Sequence, residues 1–314
     1  MINWGINALN HGHSIAVFKD GSYVNNYVGT SDTLESATTV AALATGSPDR
    51  IFWYENPWLK KARQVYAGQY ATALKLDVLP KRYMKQFKYA PITYTAHHAS
   101  HAAAGYYTSP FNHCAVVVLD AIGEFECATI WNCVHGEMKK VWSARYPHSL
   151  GLFYSAFTQY IGLTPIRDEY LLQKMAEQGD PTLFRRTVGN YFGSGTVDLA
   201  YNFHRGVLRW DDNQLLNLQE QCDLAAAVQE RFEIEVGKVM DLAKKLTNAD
   251  CLVYMGGCAM NSDANKREVE PRFKHIWSLP NPGDPSSSIG AVTFHTKQRV
   301  WRDWGPVKHI EINV

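Results

Sequence analysis

A chain of 314 residues, 46% hydrophobic and 19% charged, is long enough for one large domain or two packed lobes around a buried core. Its 31 Lys and Arg against 30 Asp and Glu leave a formal net charge of +1, which excludes a globally basic nucleic-acid glove, so contact with a polyanion must come from a local patch. No apolar run approaches the roughly 20 residues that span a bilayer, and the opening MINWGINALNHGHS lacks the basic and apolar regions of a signal peptide, which predicts a cytoplasmic chain with no membrane contact.

In chain order, INWGINAL reads as a strand, NHGHS as a polar turn carrying His11, His13 and Ser14, and IAVFKDGSYVNNYVG as two strands joined at Asp20-Gly21. Residues 33–45 have helical spacing, with Ser31 or Asp32 as cap and Gly46 as stop, and 50–55 return to strand. A short strand, ITYTA, then feeds an alanine-rich helix containing His97 and His101. CAVVVLDAIGEFECATIWNCV follows as two strands around the tight Asp120-Ala121-Ile122-Gly123 turn. This second cycle repeats the opening plan, so the expected organisation is an α/β chain of two related lobes, 1–110 and 111–314, with the ligand site between them. Residues 149–179 are predicted helical with Gly162 and Pro165 as interruptions, 180–215 are looser, and 216–247 form a long amphipathic helix. A buried strand, CLVYM, ends on Gly256-Gly257, and a helix restarts at 290. The six cysteines contain no CxxC pair and read as buried hydrophobes in a reducing compartment.

Four apart on a helix, His97 and His101 share one face with Cβ atoms about 5–6 Å apart, a spacing that suits one divalent metal and equally suits two surface histidines. Asp120, ending the run VVVL, and Asp284, in the turn NPGDP, are candidate further ligands; each is otherwise a strand-end cap or a turn residue. Gly256-Gly257 allow backbone amides to approach a phosphate, or simply make a strand-to-helix turn. A general base for an acceptor hydroxyl is offered by Asp168-Glu169 in PIRDEYLL or by His11. The stretch KRYMKQFKY at 81–89, with Lys60, Lys61 and Arg63 upstream, has the composition that holds nucleic acid by phosphate attraction and base stacking, and also that of a helix with a solvated basic face.

Together, HHASHAA at 97–103, LDAIGE around Asp120, SLGLFYSAFTQYIG at 149–162, GGCAMN at 256–261 and NPGD before SIGA resemble the O-carbamoyltransferases of the nodulation, cephamycin and tobramycin type, from residue 2 to about 295. That family is similar to the universal tRNA threonylcarbamoyltransferase subunit and shares its two-lobed actin-like/Hsp70-like (ASKHA) nucleotide-binding fold. The resemblance implies Fe2+ or a similar divalent metal on His97, His101, Asp120 and Asp284. It also implies ATP-derived carbamoyl adenylate against Ser14, Gly123, Gly256, Gly257 and Asn261, with His11 near the reacting centre. Carbamoyl phosphate is the donor it implies; the carbamoyl group passes to a hydroxyl as AMP leaves, with Asp168 or Glu169 as base and His11 as the alternative.

Two motifs depart from the family. EGKxMGLA reads EYLLQKMA at 169–176, with Leu171 in place of lysine, and ERxxRxKH is replaced by GTSDTLESATTV. With no separate carbamoyl-adenylate synthase domain expected after the first-domain motifs, either a separate activating subunit supplies the adenylate or carbamoyl phosphate is used differently. The expected acceptor is a hydroxymethylated pyrimidine in nucleic acid or a nucleotide, with a sugar-like natural product as the alternative. An actin-like ATPase or sugar kinase, and a non-catalytic nucleotide-holding partner, are the competing readings; the histidine pair and two aspartates speak against both.

Overall fold

The computed structural model describes residues 1–10, 12–29, 34–76, 79–207 and 216–301. The apolar opening forms an antiparallel meander of β1 (Ile2–Asn10), β2 (Gly12–Lys19) and β3 (Ser22–Gly29). Its second turn is the predicted Asp20-Gly21 pair, with φ of 49° and 82°, the left-handed pair that matches the twist of a hairpin. Next come α1 (Leu34–Thr45), β4 (Arg50–Trp53), α2 (Pro57–Tyr66), α3 (Tyr70–Ala73), α4 (Pro80–Tyr83) and β5 (Ile92–Tyr94). Strands β4 and β5 add in parallel beside β1, giving the order β3-β2-β1-β4-β5.

Helix α5 (His97–Thr108) leads into β6 (His113–Leu119), β7 (Glu126–Val134) and β8 (Glu137–Arg145), a second meander. Then follow α6 (Leu150–Tyr160), α7 (Glu169–Ala176), α8 (Arg185–Gly189), α9 (Leu218–Thr247), β9 (Cys251–Met255), α10 (Ser262–Ala264), β10 (His275–Trp277) and α11 (Asp284–Thr296). With β9 and β10 parallel to β6, the second sheet reads β8-β7-β6-β9-β10. Both sheets therefore follow one plan, three antiparallel strands and two parallel ones, which is the repeat visible in the sequence.

Between the sheets lie α11, packed on β1, β2 and β4, and α5, packed on β6, β7 and β9. The two helices touch along Gly290, where an added Cβ would sit 1.6 Å from the Ser100 carbonyl oxygen. On the outer face of the second sheet, α6 and α9 close a core that includes Phe153, Phe157, Phe232 and Leu224. Helix α9 starts at a reciprocal cap, in which Asn217 Oδ1 accepts from the Glu220 amide at 3.0 Å and Glu220 Oε2 from the Asn217 amide at 2.8 Å.

Several local expectations change. NHGHS is not a five-residue turn: pairing shifts register between Asn7 and Asn10, and the strands continue until His13 and Ser14 lie on β2. Residues 149–179 divide into α6 and α7. The last helix begins at Asp284 rather than 290, and 81–89 is the end of α4 followed by a single 3₁₀ turn, Lys85–Phe87. Strands β8 and β10 were not expected. His11 and the α1 caps, Ser31 and Asp32, lie outside the described residues. All six cysteines are free, and no helix among the described residues is long and apolar enough to cross a membrane.

Candidate metal centre

The N-terminus of α5 carries the histidine pair, and its first amides need partners from outside the helix. Ala96 offers no side-chain cap. Glu124, buried in the loop after Asp120, accepts the His97 amide with both carboxylate oxygens, at 3.2 and 3.1 Å, and the Asn56 amide at 2.7 Å. A carboxylate at a helix N-terminus also favours the helix dipole. All twelve residues of α5 are buried, and the small side chains Ala99, Ala102, Ala103 and Ala104 let it sit between a helix and a sheet.

His97, His101, Asp120 and Asp284 come together at this end of α5, each offering one ligating atom, all four within 4.8 Å of one another. His97 Nε2 lies 2.8 Å from Asp120 Oδ2, 3.1 Å from His101 Nε2 and 3.5 Å from Asp284 Oδ1; His101 Nε2 lies 3.3 Å from Asp284 Oδ1 and 3.6 Å from Asp120 Oδ2. Metal bonds of about 2.0–2.2 Å at angles of about 90–110° would put neighbouring ligand atoms roughly 2.8–3.6 Å apart, so these separations fit one ion. Donor chemistry agrees: two carboxylates and two imidazoles with both Nε2 atoms turned inward leave a surplus of negative charge that a divalent cation neutralises, and the N2O2 set suits iron, zinc or manganese. The Nδ1 atoms of both histidines are buried with no hydrogen-bond partner among the described residues. His98, the neighbouring histidine, faces away to Thr129 Oγ1 at 3.1 Å, and burial pushes its pKa well below the ordinary value.

The two aspartates are held from different sides, Asp120 by a backbone amide and Asp284 by side chains that grip its helix turn. Asp120, directly after β6, accepts the Gly257 amide on Oδ1 at 3.3 Å, which joins the candidate metal cluster to the glycine loop after β9. Gly256 is required there: its φ is 95° and a Cβ would stand 2.2 Å from the Leu119 carbonyl oxygen, while its amide donates to Pro282 O at 2.9 Å, next to the Asp284 turn. Asp284 opens α11, and the first turn of that helix is held by two facing residues of β1 and β2. Asn7 Nδ2 donates to the Asp284 carbonyl and to Ser287 Oγ, the latter at 2.9 Å, and Ser14 Oγ donates to Pro285 O at 2.7 Å.

Burial alone would depress the pKa of His97, but the hydrogen bond its Nε2 donates to Asp120 and the charges of Asp284, Asp120 and Glu124 win and raise it from 6.5 to about 9. The same imidazole overrides burial at Asp120 and holds its carboxyl well below the usual range; at Asp284, His101 and His97 do likewise.

Other expected site residues are placed differently. Gly123 sits against the His97 ring, where a Cβ would come within 2.9 Å of His97 Cβ, so it makes room for a ligand side chain. Asn261 is buried and engaged: it exchanges amide hydrogen bonds with Gln229 at 2.9 and 3.0 Å and caps the Ala264 amide at 3.0 Å. Asp168 accepts from Arg167 Nε and the Thr164 amide, both at 2.9 Å; these bonds, that to Arg167 first, hold its pKa down to about 2. Glu169 accepts from Ser155 Oγ at 2.7 Å and from the Ile166 amide. Neither acid hydrogen-bonds a member of the metal cluster. Upstream of the 81–89 stretch, Lys60 pairs with Glu55 at 2.8 Å, Lys61 Nζ donates to Ala73 O at 2.7 Å and to Lys75 O, and buried Arg63 donates to Glu124 O at 3.3 Å and Gln69 Oε1 at 3.2 Å. These three cations are spent on the fold rather than offered to a polyanion.

Sequence reasoning passed over Asn7, Glu124 and Gln229. Glu124 had a signal, an acid inside LDAIGE, whereas Asn7 and Gln229 acquire their roles only from chain more than thirty residues away. Replacing Glu124 by alanine should cost about 1–2 kcal/mol through the lost cap and weaken metal binding roughly 10-fold through the freed end of α5. Thermal melts with and without metal, and calorimetric titration, check both; unchanged metal affinity would show that His97 needs no such brace.

Residues 45–293 match the family described as Carbamoyltransferase N-terminus. An uncharacterised protein of Synechocystis sp. is 31% identical over 221 residues, covering 64% of this chain and 36% of that protein. The nodulation protein NolO of Bradyrhizobium diazoefficiens is 27% identical over 210 residues, covering 62% and 37%. The chain thus spans about a third of the length of the curated relatives it matches. Among solved structures, the activator of 2-hydroxyisocaproyl-CoA dehydratase from Clostridium difficile with bound ADPNP superposes with a TM-score of 0.50 at 14% identity, over 95% of this chain and 96% of that one. ROK hexokinase from Thermus thermophilus does so with a TM-score of 0.50 at 13% identity, over 94% and 98%. These likenesses establish the fold as the two-lobed actin-like ASKHA architecture. The sequence match and the motifs gathered around His97, Asp120 and Gly256 place the chain in one family: it belongs to the carbamoyltransferase N-terminal domains.

Proposed function

We propose that this chain carries out the transfer step of a metal-dependent O-carbamoyltransferase, moving a carbamoyl group from carbamoyl adenylate to a substrate hydroxyl. The observation that carries this reading is the convergence of His97, His101, Asp120 and Asp284, with Asp120 also bonded to the glycine loop. A divalent ion, Fe2+ in our reading, supplies Lewis-acid polarisation and charge neutralisation when bound. His97 and His101 would hold it through Nε2, Asp120 through Oδ2 and Asp284 through Oδ1, while Asn7 and Ser14 keep the Asp284 turn in place. Gly256 and Gly257 border the adenylate, with Asn261 shaping their loop through Gln229. The acceptor oxygen attacks the carbamoyl carbon, the bond from that carbon to the AMP phosphate oxygen breaks, and AMP departs with the electron pair. Glu169 takes the hydroxyl proton, with His11 as the other candidate; Asp168, held at about 2 by Arg167, is too weak a base.

A hydroxymethylated pyrimidine in nucleic acid is the acceptor we favour over a sugar-like natural product. Support comes from Lys81, Arg82, Lys85 and Lys88, all exposed beside exposed Tyr83 and Tyr89, with Lys88 Nζ 5.0 Å from the Tyr89 ring centroid. Four cations give modest affinity with a salt slope of about −3 to −4. Single-turnover reactions of metal-loaded protein with carbamoyl adenylate should give a carbamoyl mass gain on a hydroxymethylpyrimidine oligonucleotide. No gain on that oligonucleotide or on an aminoglycoside, with only hydrolysis of the adenylate, would overturn the transferase reading; gain on the aminoglycoside alone would overturn the nucleic-acid acceptor.

A further inference from the structure

Helix α2 is built inside out. Its charged and amide residues Lys61, Arg63 and Gln64 are buried, while Trp58, Leu59, Ala62, Val65 and Tyr66 face solvent. The usual arrangement of an amphipathic helix on a protein surface is the reverse. Local chemistry explains the inward half. Lys61 satisfies the carbonyls of Ala73 and Lys75 at the end of α3, and Arg63 holds the Glu124 carbonyl in the loop that caps α5. With the polar side committed to the metal-centre loop, the apolar side is left outward. Tyr70, Leu74 and Leu76 continue the surface, and the seven large side chains from Trp58 to Leu76 are between 47% and 78% exposed.

We propose that this face is a two-fold interface between copies of the chain. Two features select a second copy as its occupant. Trp58, Ala62 and Tyr66 are spaced four apart, a stripe that is symmetric about its small central residue. Two α2 helices crossing antiparallel at Ala62 can approach to roughly 8 Å between axes, as small contact residues allow. A shallow crossing then places Trp58 of one copy beside Tyr66 of the other, twice over, as an isologous contact demands. Tyr66 is already fixed for this by its ring contacts with Phe125 and Tyr146, at 6.3 and 6.2 Å between centroids. The area also suffices. Seven side chains exposing on the order of 100 Å² each contribute about 700 Å² per copy, close to the ~800 Å² per partner of a standard interface. Like-charge repulsion across the crossing is small, because Lys60 pairs with Glu55 and Lys61 and Arg63 turn inward. This interface is independent of the acceptor and of the metal.

Light scattering and sedimentation on the full chain, free of nucleic acid, from about 1 to about 100 μM should show a monomer–dimer equilibrium. Ala62→Arg should weaken it at least 10-fold while leaving metal binding unchanged, which reports on folding. Ala62→Cys should form an intermolecular disulfide under mild oxidation, since the native cysteines are buried or half-buried, whereas Leu43→Cys on exposed α1 should not. A monomer throughout the range, a dimer insensitive to Ala62→Arg, or a dimer without the Ala62→Cys cross-link overturns the proposal. So does association that requires an added oligonucleotide, which would assign the face to a polyanion.

Discussion

Replacing His97 and His101 together by alanine should abolish metal binding and carbamoyl transfer while leaving the chain folded. Two of four ligand atoms disappear, and because loss of even a supporting residue costs 10–100-fold in affinity, the double variant should bind more than about 100-fold more weakly. The fold should survive because both side chains leave a site where like-charged Asp120 and Asp284 can be reached by water, and the alanines suit a helix. Inductively coupled plasma analysis after dialysis, with circular dichroism as the folding control, reads both effects. Full metal content in the double variant would remove the metal centre from the account.

The parent protein should show a matching pH dependence. In the metal-free state His97 titrates near 9, so at neutral pH an ion must displace its proton; metal affinity should rise with pH from 7 and level off near 9. Stability of the metal-free protein runs the other way. A folded-state pKa raised above the unfolded 6.5 gives a contribution that is complete below 6.5 and is lost as pH rises through about 9. Melting temperatures with and without metal across pH 6–10 separate the two trends.

Gly290→Ala should be strongly damaging, because its added Cβ makes the closest backbone approach among the described glycines. An added Cβ would lie 1.6 Å from the Ser100 carbonyl oxygen, 2.6 Å from its carbon and 2.7 Å from the Ala104 nitrogen. All three are backbone atoms, so no rotamer change relieves the clash, and α11 must move off α5. Alanine gains about 1 kcal/mol of helix propensity over glycine, but overpacking costs about 1–3 kcal/mol and more where, as here, only backbone movement relieves it, and separation of the layers exposes apolar surface on both. A net loss of about 2–4 kcal/mol should lower the melting temperature by roughly 3–6 °C. Because α5 carries His97 and His101 and α11 carries Asp284, metal affinity should fall as well. Gly189→Ala, at the end of α8 where nothing lies within 4 Å of the added atom, is the control and should be neutral to slightly stabilising. Melting of Gly290→Ala within a degree of the parent would mean that the helices are not in this contact.

The four residues proposed to hold a metal were legible as candidates because their chemistry is local in kind, a histidine pair at helical spacing and carboxylates at a strand end and a turn, and the family resemblance joined them. Their supports were not. Asn7 and Asp284 are 277 positions apart and Gln229 and Asn261 are 32 apart, and no periodicity connects such residues. The inverted face of α2 was likewise hidden: the alternation of polar and apolar residues is visible in PWLKKARQVY, but the pattern carries no sign, and which side faces inward depends on what the neighbouring loops require.

By itself, the sequence determined the kinds of elements, the Asp20-Gly21 hairpin, the repeated strand plan and the donor chemistry of His97, His101, Asp120 and Asp284, since backbone propensity and side-chain chemistry act over a few residues. Only the tertiary structure decided that Glu124 caps α5, that Lys61 and Arg63 turn inward, that Asn261 is engaged by Gln229 and that α11 returns from the end of the chain to lay Asp284 beside the histidines. Those outcomes depend on burial, where each polar group must find a partner that close packing, rather than chain position, brings within reach.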